Sequence, residues 1–244
     1  MKYILTIEAR MRSSRLPGKV LKPILGKPML GLMVERLKHA RTIDGIVVAT
    51  TVNPEDDPIV ELASLSDVGV FRGSEQDVLG RVLDAARDNK ADVIVETTGD
   101  CPLLDPAIVD KVVSDYRMGG ADFVSNNLVY TTPRGMDVRV FSTEELAEID
   151  RITNDPADRE HVSLYFWEHP DKYGLRNVTT ELPREVADLR LTVDTEEDFE
   201  LIRRIFEELY AEDSIFSFAD IISFLNKNPD LARINQDIKQ KPVR

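Results

Sequence analysis

The chain has 244 residues, 42% hydrophobic and 31% charged, which is enough apolar sequence for one substantial core and unlike the composition of a disordered protein. A net charge of -13 excludes a general nucleic-acid surface, which depends on Lys and Arg to neutralise phosphates. Cys101 is the only cysteine, so no intrachain disulfide can form, and no apolar run approaches a membrane span or a secretory signal; a cytoplasmic setting is expected.

Tyr3 to Ile7 reads as a short buried strand that ends in a polar, basic segment. Leu30, Met33, Val34 and Leu37 recur at helical spacing, and Gly45 to Thr50 is a second buried strand. The alternation continues through a helix over 57–65, a strand over 68–71, a helix over 78–87, a strand over 93–95, a helix over 107–118 and a strand over 122–125. Strands and helices alternating with short connections predict a three-layer α/β/α architecture with a mostly parallel mixed sheet. The second half is less regular, with strands expected over 137–141, 173–178 and 189–193. Helices are expected from Thr143, over 158–168, 196–210 and 218–226. One domain spans 1–244, with 128–180 as its less regular region. The polar stretch 227–244 is expected to lie on the surface or fray.

Arg10, Arg12, Arg15, Lys19, Lys22 and Lys27 fall within eighteen positions without an acidic residue, a local reversal of the chain's sign. A triphosphate needs such cations together with backbone that can approach closely. Gly18 lets the chain bend, Pro17 stiffens the approach, and Ser13 and Ser14 offer hydroxyls. A solvated basic loop has the same composition. The segment has neither the P-loop spacing nor the Gly-x-Gly-x-x-Gly of a dinucleotide fold, which demotes both classes.

Two acidic positions follow apolar strands. Asp100 stands in Thr97-Thr98-Gly99-Asp100-Cys101-Pro102, and Asp194 in Leu191-Thr192-Val193-Asp194-Thr195-Glu196-Glu197-Asp198. Open α/β sheets place ligands at such strand ends, and magnesium takes one or two carboxylates plus substrate phosphates and waters. Each also has a local reading: Asp100 can make a turn or cap the helix after Pro106, and Asp194 or Thr195 can cap the helix that follows.

The run Ala9-Arg10-Met11-Arg12-Ser13-Ser14-Arg15-Leu16-Pro17-Gly18-Lys19, with Gly26-Lys27-Pro28-Met29, resembles the opening of the cytidylyltransferases that activate acidic sugars such as KDO and sialic acids, and within them the spore coat polysaccharide branch. The resemblance implies a nucleotide-diphospho-sugar transferase fold, a homodimer, acceptor binding or dimerisation by 128–180, and CTP and an acidic sugar-like acceptor as small-molecule partners; the acidic balance and the lack of a long apolar run already argue for no nucleic acid and no membrane. It implies nucleotide binding by Ala9, Arg10, Ser13, Ser14, Arg15, Lys19, Asp100 and the Arg72-Gly73-Ser74 segment. Arg10, Lys19 and Asp100 would act in catalysis, and Asp100 and Asp194 would hold Mg2+. Pro133-Arg134-Gly135-Met136-Asp137 and Asp158-Arg159-Glu160-His161 resemble stretches of the spore coat branch, and Arg134, Asp137, Arg159 and His161 are the acceptor candidates. A guanidinium matches a carboxylate or phosphonate in geometry, although Arg159, Glu160 and His161 can equally make local ion pairs. Two rivals share much of this pattern. One is a sugar-1-phosphate nucleotidyltransferase using another triphosphate, and the other is a glycosyltransferase or a non-catalytic nucleotide-binding protein.

Overall fold

A computed structural model describes residues 1–212 and 214–241. The first half comprises β1 (Tyr3–Glu8), a small hairpin of β2 (Pro23–Ile24) and β3 (Lys27–Pro28), α1 (Met29–Leu37), β4 (Gly45–Thr51), α2 (Asp57–Leu65), β5 (Gly69–Gly73), α3 (Val78–Asp88), β6 (Val93–Thr98) and α4 (Pro106–Arg117). The second half comprises β7 (Phe123–Ser125), β8 (Arg139–Ser142), α5 (Thr143–Ile152), α6 (Pro156–Glu160), α7 (Leu164–Glu168) and β9 (Leu175–Asn177). The helices α8 (Arg184–Ala187), α9 (Glu196–Leu209), α10 (Phe218–Lys227) and α11 (Pro229–Ala232) follow.

The main sheet has seven strands in the order β5-β4-β1-β6-β8-β7-β9. Within it β8 runs antiparallel to β6 and β7, and the remaining pairs are parallel. Neighbouring residues of one strand serve opposite layers, as the pleat requires. Leu5 and Ile7 pack with Leu30 and Met33 of α1, Val109 of α4 and Ile202 of α9. Ile4, Ile94 and Phe141 face the other way, against Val82 of α3, Ile149 of α5 and Phe166 of α7. These two apolar layers give the three-layer architecture expected from the alternation. Among the described residues no helix is long and apolar enough to cross a membrane.

The register sets Glu8 of β1 beside Thr98 of β6 and Ala49 of β4, so β1 and β6 end together and β4 ends two residues later on the same side. Their following loops emerge at one edge, where open α/β sheets carry ligands.

Three segments differ from the sequence-based expectation. The helix expected over 158–168 is two short ones, because His161 leaves helical geometry at φ -114° and ψ 80°. The strand expected over 189–193 makes only an isolated bridge, Arg134 with Arg190. Its N–H groups bond two separate loops, Leu191 to the Arg134 carbonyl and Val193 to the Asp100 carbonyl, so no continuous ladder forms. The end expected to lie on the surface or fray lies mostly at the surface over its described residues, but it forms α11 there and buries Asn235, which is 2% exposed.

Candidate functional site

The loop after β1 is closed on itself. Gly18 adopts φ 72°, a left-handed conformation that glycine accepts without a Cβ clash, and donates its N–H to the Met11 carbonyl at 2.8 Å. The buried Asp56 holds the other side by accepting the Met11 N–H at 2.7 Å. The cleft beside the loop, about 720 Å³, is lined by Arg10, Arg12, Ser13, Ser14, Glu55 and Glu75 among others.

Lys19, just beyond Gly18, turns back under the loop. Its Nζ donates to Asp100 Oδ2 at 3.1 Å, Asp194 Oδ1 at 2.9 Å and the Val193 carbonyl at 2.6 Å. Burial alone would lower the lysine's pKa, but Asp100 and Asp194 outweigh it and hold the value above the ordinary one. Asp100 feels the converse. Burial works to raise its carboxyl, and Lys19 together with the Thr98 hydroxyl, which donates at 2.6 Å, brings it below its ordinary value.

The close approach of β1 to the Asp100 turn depends on Gly99. A Cβ there would meet the Glu8 carbonyl at 3.0 Å, while the Gly99 N–H donates to that same carbonyl at 2.8 Å. Asp194 is brought alongside by its own contacts. Arg15 reaches its Oδ2 at 2.7 Å, and so does Arg190, which also bonds the fully buried Asp198 at 2.9 Å. The capping box of Thr195 with Asp198 starts α9, so the cap and the carboxylate at Asp194 are separate devices. Asp105, not Asp100, caps α4.

Each aspartate therefore has one oxygen fixed by protein donors and the other directed at a shared cation. Two such oxygens suit a small divalent ion, which completes its shell from phosphates and water. Among the described residues no group of three or more His, Cys, Asp or Glu side chains forms a closed metal cage. Cys101 is buried, and burial followed by the nearby Asp100 pushes its thiol well up, so it remains protonated and unreactive.

The remaining cations of the loop also have protein partners. Arg10 pairs with Glu160 at 2.8 Å and donates to the Glu75 carbonyl at 3.1 Å; Arg12 pairs with Glu55 and Glu75. Arg72 holds the end of β4, donating to the Thr51 and Asn53 carbonyls and pairing with Asp57. Ser74 accepts the Gln76 and Asp77 N–H groups, and its carbonyl receives Arg81, against which Gly73 packs. Ala9, buried at the start of the loop, stands where a Cβ on Gly99 would meet it at 3.2 Å.

The acceptor candidates separate into two groups. Arg134 lies over the Tyr130 ring at 4.1 Å and donates to its hydroxyl; among the described residues no carboxylate pairs with it. Asp137 is half-buried, its inner oxygen Oδ1 has no hydrogen-bond partner among the described residues, and burial raises its pKa despite nearby Arg139. By contrast, every guanidinium nitrogen of Arg159 bonds Asp77 or Asp150, which ties α6 to the N-terminus of α3 and to α5. His161 closes α6, its N–H bonded to the Ala157 carbonyl.

Two residues at the site are not among the candidates read from the sequence. Arg190 is one, since a lone arginine before an apolar stretch looks ordinary until Asp194 and Asp198 are seen around it. Glu8 is another: Oε1 is buried without a partner, and its carboxyl is pushed well up by burial and then by Glu96, against Arg81 and Arg139. Its place directly before the basic loop was the available clue.

Comparison with known proteins gives a consistent picture. The family model described as "Cytidylyltransferase" matches residues 4–220. An uncharacterised protein of Methanocaldococcus jannaschii is 36% identical over 247 residues, covering 100% of this chain and 98% of its own. The spore coat polysaccharide biosynthesis protein SpsF of Bacillus subtilis is 32% identical over 231 residues, covering 93% of this chain and 95% of its own. A solved cytidylyltransferase from Leptospira borgpetersenii superposes with a TM-score of 0.90 at 37% identity, covering 99% of this chain and 100% of that one.

Proposed function

Because the chain belongs to the cytidylyltransferase family and is an enzyme of the nucleotidyltransferase class, we propose that it transfers CMP from CTP to a hydroxyl of an acidic sugar, releasing pyrophosphate. The observation that carries this reading is Lys19 held between Asp100 and Asp194 directly beneath a basic, glycine-closed loop. A polyphosphate binder and a cation binder meet at one strand edge. The name of the Bacillus subtilis relative supports a place in surface polysaccharide or glycoconjugate synthesis.

In this reading the triphosphate occupies the cleft of Arg10 to Lys19, exchanging the carboxylate partners of Arg10, Arg15 and Lys19 for phosphate oxygens. The acceptor hydroxyl oxygen attacks the α-phosphorus, the bond from that phosphorus to the bridging oxygen of pyrophosphate breaks, and the hydroxyl proton passes to solvent water. No covalent enzyme intermediate is needed, so alignment and charge neutralisation carry the rate. Asp100 and Asp194 would hold Mg2+, which would supply neutralisation of charge on the phosphates. Arg15 and Lys19 stabilise the leaving pyrophosphate, and the segment Arg72-Gly73-Ser74 with Ala9 borders the nucleoside. Arg134 and Asp137 face the acceptor, with Arg159 and His161 as the outer wall on α6. The reaction belongs in the cytoplasm, where CTP is made, and a homodimer is the expected assembly.

The test is to incubate the protein with CTP, magnesium and a panel of acidic sugars, following pyrophosphate release and CMP conjugates by mass spectrometry. A CMP-linked sugar acid supports the reading. Turnover of UTP or GTP with a sugar 1-phosphate, and none of CTP, overturns it.

A further inference from the structure

The last described residues run back across the phosphate loop. The buried Asn235 donates to the Arg190 carbonyl at 3.0 Å and to Asp198 Oδ1 at 2.7 Å, anchoring the segment beside Asp194. Past this anchor, Gln240 Oε1 accepts from Arg190 at 2.7 Å and the Lys239 carbonyl accepts from Arg15 at 3.5 Å. Lys241 Nζ then donates to the Ser14 hydroxyl at 2.7 Å. One strap thus touches both arginines that hold Asp194 and the serine at the tip of the loop.

The charge balance gives this contact a meaning. Arg10, Arg12, Arg15 and Lys19 each have a carboxylate partner. Among the described residues Lys241 has none; its partner is a neutral hydroxyl. A site for a polyanion gains most from a cation that no carboxylate already compensates, and an ammonium on a flexible stem can follow a phosphate without moving the backbone.

We propose that Lys241, delivered by the strap from Asn235 to Lys241, is a ligand for the β- or γ-phosphate of the bound nucleoside triphosphate. Its Nζ exchanges the Ser14 hydroxyl for a phosphate oxygen. The inference rests on the reading of the loop as a CTP site, and it adds the C-terminal segment to that site.

Calorimetric titration of CTP and of CMP, in magnesium buffer, into wild type, Lys241→Ala and Lys241→Arg tests it. CMP lacks the two outer phosphates and serves as the internal control. Lys241 is exposed, so the alanine variant keeps its fold, which a melting curve confirms. The expected result is CTP affinity lowered roughly three- to tenfold in Lys241→Ala, the range of one solvent-screened charge-assisted hydrogen bond, with CMP affinity unchanged and Lys241→Arg restored. Unchanged CTP affinity in Lys241→Ala, with wild type binding CTP normally, overturns this inference alone. Equal losses for CTP and CMP also overturn it, since they would reflect packing of the strap. A wild-type protein that binds no CTP overturns the underlying reading and this inference with it.

Discussion

Asp100 and Asp194 accept hydrogen bonds from the same ammonium, Lys19 Nζ, at 3.1 and 2.9 Å. One carboxylate follows β6 and the other precedes α9, and a backbone bond from the Val193 N–H to the Asp100 carbonyl at 2.8 Å keeps them adjacent. The pair is therefore built into the backbone, and the lysine reads out its geometry.

Asp100→Asn isolates the charge from the shape. The amide keeps the size of the carboxylate and can still accept from Thr98, so folding should be nearly intact. Turnover should fall by at least roughly 100-fold, the scale of removing one transition-state electrostatic interaction. The measurement is CTP-dependent pyrophosphate release alongside a melting curve. Release close to the wild-type rate would remove Asp100 from the mechanism.

Lys19→Met removes the shared cation and leaves two neighbouring carboxylates facing each other. A loss of about 3 kcal/mol in unfolding free energy is expected, the usual scale for stripping one partner from a buried pair. If the same oxygens suit a divalent ion, magnesium should raise the melting temperature of this variant more than that of wild type. An equal magnesium shift in both proteins would argue that the two aspartates do not form a cation site.

How much of this was legible in the sequence follows from the range of each interaction. The basic loop announces itself by a reversal of charge sign within a few residues, and Asp100 by its place after an apolar strand. The alternation of elements gave the layers because periodicity is local. Arg190 was illegible, since its partners Asp194 and Asp198 are close in sequence but meet it only through a non-helical bend followed by a cap. The strap was illegible for the opposite reason: its anchor, Asn235, is a polar residue in a polar tail, buried only because Arg190 and Asp198 offer it partners. The split of the expected 158–168 helix at His161 has a similar origin, because periodicity does not register a short break such as 161–163 between two helical turns.

Glu8 should make stability fall with rising pH. Burial and then Glu96 push its carboxyl well above the ordinary 4.5, so the folded protein holds this proton more tightly than the unfolded chain. Its contribution is fully present below pH 4.5 and is lost as pH rises through the folded value. Glu8→Gln imitates the protonated form and escapes that loss. Urea midpoints of the two proteins should coincide near pH 4 and separate progressively at about pH 6 and 8, with the glutamine variant the more stable. A constant offset at all three pH values would exclude the protonation account.

Arg134 and Arg159 should respond oppositely to truncation. Arg159 bonds Asp77 and Asp150 through all its guanidinium nitrogens, so Arg159→Ala should lower stability by about 1 to 3 kcal/mol, leaving unpaired carboxylates behind. Because those carboxylates already occupy the guanidinium, KM for the acceptor identified in the panel should stay within roughly twofold, a change too small to represent the removal of an ionic partner. Among the described residues the Arg134 guanidinium hydrogen-bonds the neutral Tyr130 hydroxyl and lies over its ring, with no carboxylate in ion-pair contact. Arg134→Ala should leave the melting temperature nearly unchanged and raise acceptor KM about tenfold, as expected when a charge-assisted hydrogen bond to an anionic group is removed. Steady-state kinetics with acceptor varied at saturating CTP separates the two. An acceptor KM that rises for Arg159→Ala and not for Arg134→Ala would move the acceptor's acid group from the Arg134 turn to α6.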